Sequence, residues 1–248
     1  MLFSVNELVK VWGIAPRGVV HIGAHLAEES VQYSQFSWEP VAWFEAQSDL
    51  VRHLRESLNP ISNTVYEATL WDVDDQELVF NITNNGQSSS LLNFGKHALD
   101  YPEIVVTEMQ VKKTSRFDSI KLRTNEYDFI NLDVQGAELQ VLKGMGERIA
   151  DARWIYTEVN KTDVYSGCVQ ISDLDSFLSE KGFQRIATRW CFGKGWGDAL
   201  YSQFPNKLSA KRHLYKFVNQ AKWNVYQFLV YFKSLIKKLI RRSVQQDA

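Results

Sequence analysis

The run Tyr127-Asp128-Phe129-Ile130-Asn131-Leu132-Asp133-Val134-Gln135-Gly136-Ala137-Glu138-Leu139 decides how this chain is read. Phe129, Ile130 and Leu132 make a short apolar segment that ends in an acid and a glycine turn, the pattern of a buried strand in a parallel sheet. Open α/β sheets gather ligands at the carboxyl ends of their strands, so Asp133 is the first candidate for an active-site group. Past the turn, Ala137, Leu139, Val141 and Leu142 fit a short helix. Glu138 falls in its first turn, where helix-start electrostatics explain a carboxylate as well as a functional role does.

Towards the N terminus, Gly18 to Ile22 reads as a first buried strand. Gly23 to Ser30 follows as a small-residue turn opening a helix, and the backbone N–H groups of such a turn can approach a ligand closely. Val41 to Phe44 is a second strand ending at Glu45, where nucleotide-binding sheets hold ribose hydroxyls; the alternative is a solvated helix-start acid. Asn63 to Ala68 is a third, with Leu70 and Trp71 just past its end, Trp71 being placed either to stack on a base or to fill core or rim. Ser4 and Glu7 have capping-box spacing and predict a short lid or edge helix at the start.

Towards the C terminus, Trp154 to Val159 reads as a strand containing Glu158, Ser172 to Glu180 as a helix, and Phe183 to Thr188 and Ala199 to Phe204 as closing strands. Two further strands, Glu77 to Ile82 and Ile104 to Val111, flank a polar segment. Strand and helix alternate through most of the body. That predicts an α/β fold with a mainly parallel, doubly wound sheet over residues 1–206.

Composition narrows the class. In 248 residues, 45% hydrophobic and 23% charged, there is ample core for a globular domain and no sign of a disordered chain. Cys168 and Cys191 are too few for a disulfide framework, and the first residues lack a signal-peptide pattern, so the cytoplasm is the expected location. The net charge of −1 conceals a division: residues 207–248 hold seven Lys and three Arg against Asp247, a formal +9, whereas residues 1–206 sum to −10. Such asymmetry points the tail towards a polyanionic surface.

Taken as a set, these residues resemble the FkbM family of S-adenosylmethionine-dependent methyltransferases, over roughly residues 17 to 204. The family's opening motif, Asp-Ile-Gly-Ala-Asn-x-Gly with a Ser or Thr three residues later, is similar to His21-Ile22-Gly23-Ala24-His25-Leu26-Ala27 with Ser30. Its second hallmark, Asp-x-x-Lys-Ile-Asp-Val-Glu-Gly-Ala-Glu followed by Val-Leu-Lys-Gly, is similar to Asp128 through Gly144. The resemblance implies a Rossmann-like, class I methyltransferase fold, Glu45 on the cofactor ribose, the Gly23 to Ala27 turn around the methionine part, and Asp133 near the transferable methyl. His21 replaces the usual acid, His25 the Asn, Ala27 the last Gly and Gln135 the Glu. The expected cofactor contacts are His21, Gly23, Ala24, His25, Ala27, Ser30, Glu45, Leu70, Trp71 and Asp133. Asp133 leads the catalytic candidates, with Glu158 and Glu138 behind it. His53 and His97 read as surface residues.

The expected reaction is methylation of a hydroxyl, since a sulfonium already activates the methyl and the protein must align a nucleophile and remove a proton. A sugar of a cell-surface glycan or its lipid-linked precursor is the expected acceptor, with Gln87 to Ser90 and Gly193 to Asp198 as walls. No resident metal is expected, the alternative being a divalent ion gathered by Asp133, Glu138 and Glu158. The rival readings are a non-catalytic nucleotide-binding scaffold and an NAD-dependent oxidoreductase, the latter disfavoured by the incomplete glycine fingerprint. In the tail, Phe217, Val218, Ala221, Val225, Phe228, Leu229, Phe232, Ile236 and Leu239 form a helical apolar stripe. A basic amphipathic helix of this kind suits an anionic membrane interface, with docking on the body or in a homo-oligomer as the alternative and nucleic acid disfavoured.

Overall fold

A computed structural model describes residues 1–204, 217, 218, 220–233 and 236. In chain order the elements are α1 (Val5–Glu7, continued by a π-helical turn, Leu8–Trp12), β1 (Val19–Ile22), α2 (Ser30–Gln35), β2 (Val41–Glu45), α3 (Ser48–Ser57), β3 (Asn63–Glu67), β4 (Thr69–Leu70), β5 (Glu77–Thr83), α4 (His97–Asp100), β6 (Val106–Ser115), β7 (Phe129–Leu132), α5 (Glu138–Gly144), β8 (Trp154–Asn160), α6 (Ile171–Glu180), β9 (Gln184–Trp190) and β10 (Trp196–Ser202). Seven strands form one sheet in the order β3-β2-β1-β7-β8-β10-β9. The pairs from β3 to β8 are parallel, and β10 is antiparallel to both its neighbours. The fold is Rossmann-like, as expected, and its strand order reverses between β1 and β7, where such sheets open a crevice.

Alternation along the strands sorts the core into two layers. Val20, Ile22, Ala42, Phe44, Ile130 and Leu132 pack on one face against Val141 and Leu142 of α5 and Leu174 and Leu178 of α6. Val19, Val41, Trp43 and Phe129 face the other way, against Leu8, Val11 and Trp12, Tyr33 of α2 and Leu54 of α3. β1, β2 and β7 are buried along their whole length, which is why they read as continuous apolar runs.

Two features go beyond the sequence reading. The first helix continues into a turn that packs Leu8, Val11 and Trp12 on one face of the sheet. Ser4 Oγ accepts from Glu7 N at 3.2 Å, but the Glu7 carboxylate does not return to close a capping box; it takes Arg189 of β9 in a buried fork at 2.7 and 2.8 Å. β5 and β6 leave the main sheet and make a separate three-stranded sheet with β4. The expected boundary at residues 206 and 207, and most of the tail's basic residues, lie outside the described residues. Residues 220–233 are helical and touch the body at the turn between β9 and β10. There Gln227 Oε1 accepts from Phe192 N at 3.2 Å, and Tyr231 meets the Phe192 ring at 5.3 Å.

Candidate active site

Two adjoining cavities open at the carboxyl ends of β1, β2 and β7. The larger, about 430 Å³, is reached by His21, Ala24, Glu158, Tyr165, Trp196 and Asp198 among others. The smaller, about 70 Å³, is lined by Glu45, Ala46, Leu70 and Phe80. Gly23, His25, Asp133 and Gln135 border both. The reversal of strand order at β1 and β7 therefore puts Asp133 at the junction of the two spaces.

The turn after β1 is held by contacts outside itself. Gly23 has φ of 83°, and a Cβ there would stand 1.8 Å from the Asp133 carbonyl oxygen, so only glycine fits. Its amide and that of Ala24 donate to Phe44 O at 3.0 Å each. His25 and Ala27 follow with φ of 46° and 54°, left-handed conformations that strain an L residue. Glu45 pins them: its Oε2 accepts from His25 N at 2.9 Å while its Oε1 accepts from Ala46 N and Gln47 N at 3.0 and 2.9 Å. Burial pushes the Glu45 carboxyl up and these three amides oppose it. Glu45 thus organises the turn first, and its remaining lone pairs border the small cavity.

The stretch after β7 gathers carboxylates. Gln135, itself at φ of 56°, donates its amide to Asp133 Oδ1 at 2.5 Å and to Glu158 Oε2 at 3.2 Å, and its oxygen accepts from Tyr165 Oη at 2.5 Å. Where the family pattern has Glu, this Gln removes one negative charge from a crowded site and ties two acids together. Burial, then the Asp133, Glu138 and Asp198 charges, push the Glu158 carboxyl well above the usual range. Asp198 is raised to about 6 by burial. It accepts from Leu2 N at 2.6 Å and from the Tyr156 hydroxyl.

Glu138 lines neither cavity. Its Oε1 accepts from Val134 N at 3.2 Å and Gly136 N at 3.0 Å, fixing the turn between β7 and α5, and burial raises it to about 7. Its carboxylate braces the turn and faces neither space. Ser30 and Ala27 also stand off both cavities, in and before the first turn of α2. Trp71 does too: its amide donates to Ser115 O at 3.0 Å, its carbonyl abuts Gly144 of α5, and the residue is half-buried. Leu70 does border the small cavity. Among the described residues no group of three or more His, Cys, Asp and Glu side chains is arranged to hold a metal ion.

Besides His25, two histidines border the large cavity. His21 is buried and stacks on Trp43 at 4.7 Å, with Nδ1 3.2 Å from both Asn131 Nδ2 and Tyr33 Oη. With the amide donating, Nδ1 is the acceptor and the ring proton sits on Nε2. Burial lowers its pKa and keeps it neutral. His97 is the residue that sequence reasoning missed: it is 5% exposed rather than on the surface, and its Nδ1 is enclosed without a partner. Phe94, Tyr101 and Tyr165 rings surround it at 4.4 to 5.4 Å. Its placement comes from the amide of His97 donating to Val164 O at 3.0 Å, a long-range contact with no local sequence signal.

Comparison with known proteins agrees with the motifs. The Methyltransferase FkbM domain profile matches residues 21–185. No curated protein matches the chain. Among solved structures it is similar to magnesium protoporphyrin IX methyltransferase from Synechocystis with bound SAH, at 12% identity over 81% of each chain and a TM-score of 0.47. It is also similar to a protein of the NADB-Rossmann superfamily from Streptococcus agalactiae, at 12% identity over 83% of this chain and 71% of that one, TM-score 0.46. A third is TrmK of M. capricolum with S-adenosyl-homocysteine, at 8% identity over 84% of this chain and 71% of that one, TM-score 0.43. The profile spans well over half of the chain and takes in the glycine turn, Glu45, Asp133 and Glu158, and the chain belongs to the FkbM family of S-adenosylmethionine-dependent methyltransferases.

Proposed function

We propose that this methyltransferase acts on a hydroxyl of a sugar, in a cell-surface glycan or its lipid-linked precursor. The observation that carries the reading is Asp133, an exposed carboxylate at the junction of the two cavities. The residues present fit S-adenosylmethionine. Glu45 has lone pairs free for ribose hydroxyls beside the small cavity, the Gly23 turn leaves no side chain between that cavity and Asp133, and carboxylates favour a ligand bearing sulfonium and ammonium charges. Bound there, the cofactor supplies an activated methyl. The protein's own work is to align the acceptor hydroxyl and take its proton, which falls to Asp133, while Gln135 holds that carboxylate and ties it to Glu158.

The polar residues Asn85, Gln87 and Ser88 on one side of the large cavity and the rings of Tyr101 and Trp196 on the other support a polyhydroxylated acceptor with an apolar ring face. Mass spectrometry of surface polysaccharide from cells with and without the gene tests this reading, with loss of one methyl mass expected. An unchanged glycan profile contradicts it.

The tail completes the proposal: its helix lies on the anionic surface of a cytoplasmic membrane, where a lipid-linked acceptor is presented. Val225, Phe228, Leu229 and Phe232 are exposed along residues 220–233, and the basic tail supplies the charge. No helix of the described residues is long and apolar enough to cross a membrane. Full-length protein is expected to float with anionic liposomes; protein that stays at the bottom of the gradient, as a homo-oligomer or monomer, removes the membrane from the account.

A further inference from the structure

The large cavity has a charge pattern that the reaction itself does not require. Five acidic side chains reach it, Glu28, Glu29, Asp133, Glu158 and Asp198, with the Met1 ammonium 3.6 Å from Glu29 Oε1 at its edge, and among the described residues no Lys or Arg lines it. Lys194, with Nζ 4.1 Å from the Tyr101 ring centre, donates to Asp100 O at 2.8 Å, lies 3.6 Å from Asp100 Oδ1, and does not line the space. A cation-binding requirement of the cofactor explains acids near the Gly23 turn. It does not explain their extension to Asp198 on β10, beside Trp196 and the far wall.

That far wall is built from half-buried rings. Tyr101 and Trp196 both face the space and are locked together by a hydrogen bond from Trp196 Nε1 to Tyr101 Oη at 3.1 Å. His97 lies against Tyr101 at 5.1 Å, is more than nine-tenths buried and lines the cavity, and among the described residues its enclosed Nδ1 has no hydrogen-bond partner. A buried polar group without a partner is uncommon and marks a place where a ligand's polar atom completes the bonding.

We infer that Tyr101, Trp196 and His97 form the acceptor subsite, and that it takes an uncharged or amine-bearing sugar ring and rejects anionic sugars such as uronates and sugar phosphates. The ring's apolar face lies on the two aromatic side chains, a hydroxyl meets His97, and the surrounding carboxylates repel a second negative charge. This rests on the sugar reading proposed above and adds the sign of the charge.

The test uses full-length protein saturated with S-adenosylhomocysteine and measures binding of methyl glucoside, methyl glucosaminide and methyl glucuronide by saturation-transfer NMR titration. The glucoside and glucosaminide are expected to bind, and the glucuronide at least about tenfold more weakly. Tyr101→Ala is expected to weaken the first two by about fivefold with S-adenosylhomocysteine affinity unchanged, and Tyr101→Phe, which keeps the ring, to match the parent. Glucuronide binding as tight as glucoside binding overturns the inference and leaves the sugar reading standing. So does unchanged sugar binding in Tyr101→Ala. Failure of all three sugars to bind, with S-adenosylhomocysteine still bound, overturns both. Should Tyr101→Ala lose the nucleoside as well, the glucuronide comparison on the parent protein decides alone.

Discussion

The two arms that meet at the cleft, the turn after β1 and the turn after β7, reach the same end by opposite routes. The stretch from Asp128 to Gly144 keeps more of the family's sequence and carries its own brace, Glu138 accepting from Val134 N and Gly136 N, with Ser90, Glu158 and Tyr165 adding contacts to Gln135. The turn from His21 to Ala27 departs from the family at His21, His25 and Ala27 and keeps its shape through neighbours. Glu45 takes the His25 amide, Phe44 O takes Gly23 and Ala24, and the Asp133 carbonyl closes against Gly23. A motif can therefore decay in sequence while its backbone path survives, provided that the groups fixing the path sit on other strands.

The comparison can be broken most severely at the conserved arm. Asp133→Asn keeps the shape and removes the base, and is expected to lower turnover by about 10²- to 10⁴-fold while cofactor affinity stays within a few fold. Steady-state kinetics beside calorimetry separate the two quantities, and unchanged turnover removes Asp133 from the mechanism. At the substituted arm, Gly23→Ala forces a methyl into the Asp133 carbonyl and is expected to lose about 3 kcal/mol or more of stability in denaturant unfolding. A loss below about 1 kcal/mol would mean that the arms do not lean on each other there.

A smaller effect comes from the buried acid of the conserved arm. The Glu138 carboxyl, ordinarily near 4.5, is raised to about 7 by burial, so the native state holds its proton more tightly than the unfolded chain does. Its stabilising effect is complete below the unfolded value and is lost as the pH rises through the native one. Between pH 5 and 8 the parent protein should therefore lose about 1–2 kcal/mol more stability than Glu138→Gln. His21, whose pKa burial lowers, acts in the opposite sense as the pH falls below its ordinary value, and it cancels when parent and variant are compared. Parallel curves for the two proteins contradict the assignment. The smallest effect is a gain: Ala27 sits at φ of 54° where the family has glycine, and Ala27→Gly is expected to raise stability by about 0.5–1 kcal/mol in the same unfolding assay.

The same contrast explains what could be read from the sequence. β1, β2 and β7 announce themselves because burial on both faces demands unbroken apolar runs, and Asp133 and Glu45 follow from standing at their ends. The antiparallel insertion of β10 between β8 and β9, and the departure of β5 and β6 into a second sheet, depend on pairings across long stretches of chain that no local pattern carries. Glu138 reads as a catalytic candidate because an acid after a glycine turn has the same spelling whether it serves substrate or backbone. His97 looked idle because its burial is made by Phe94, Tyr101 and Tyr165, and by a bond to Val164 far along the chain. The sequence departs from the family at His21 and Ala27, and the contacts from Glu45 and Phe44 hold the path of the turn between them.

The central claim is that this externally braced turn still binds the cofactor. Calorimetric titration of the full-length protein with S-adenosylmethionine tests it directly. The account predicts saturable binding of one molecule per chain, retained within a few fold in Asp133→Asn. Absence of binding at millimolar ligand to folded protein would contradict it and leave a scaffold that has kept the fold without the chemistry.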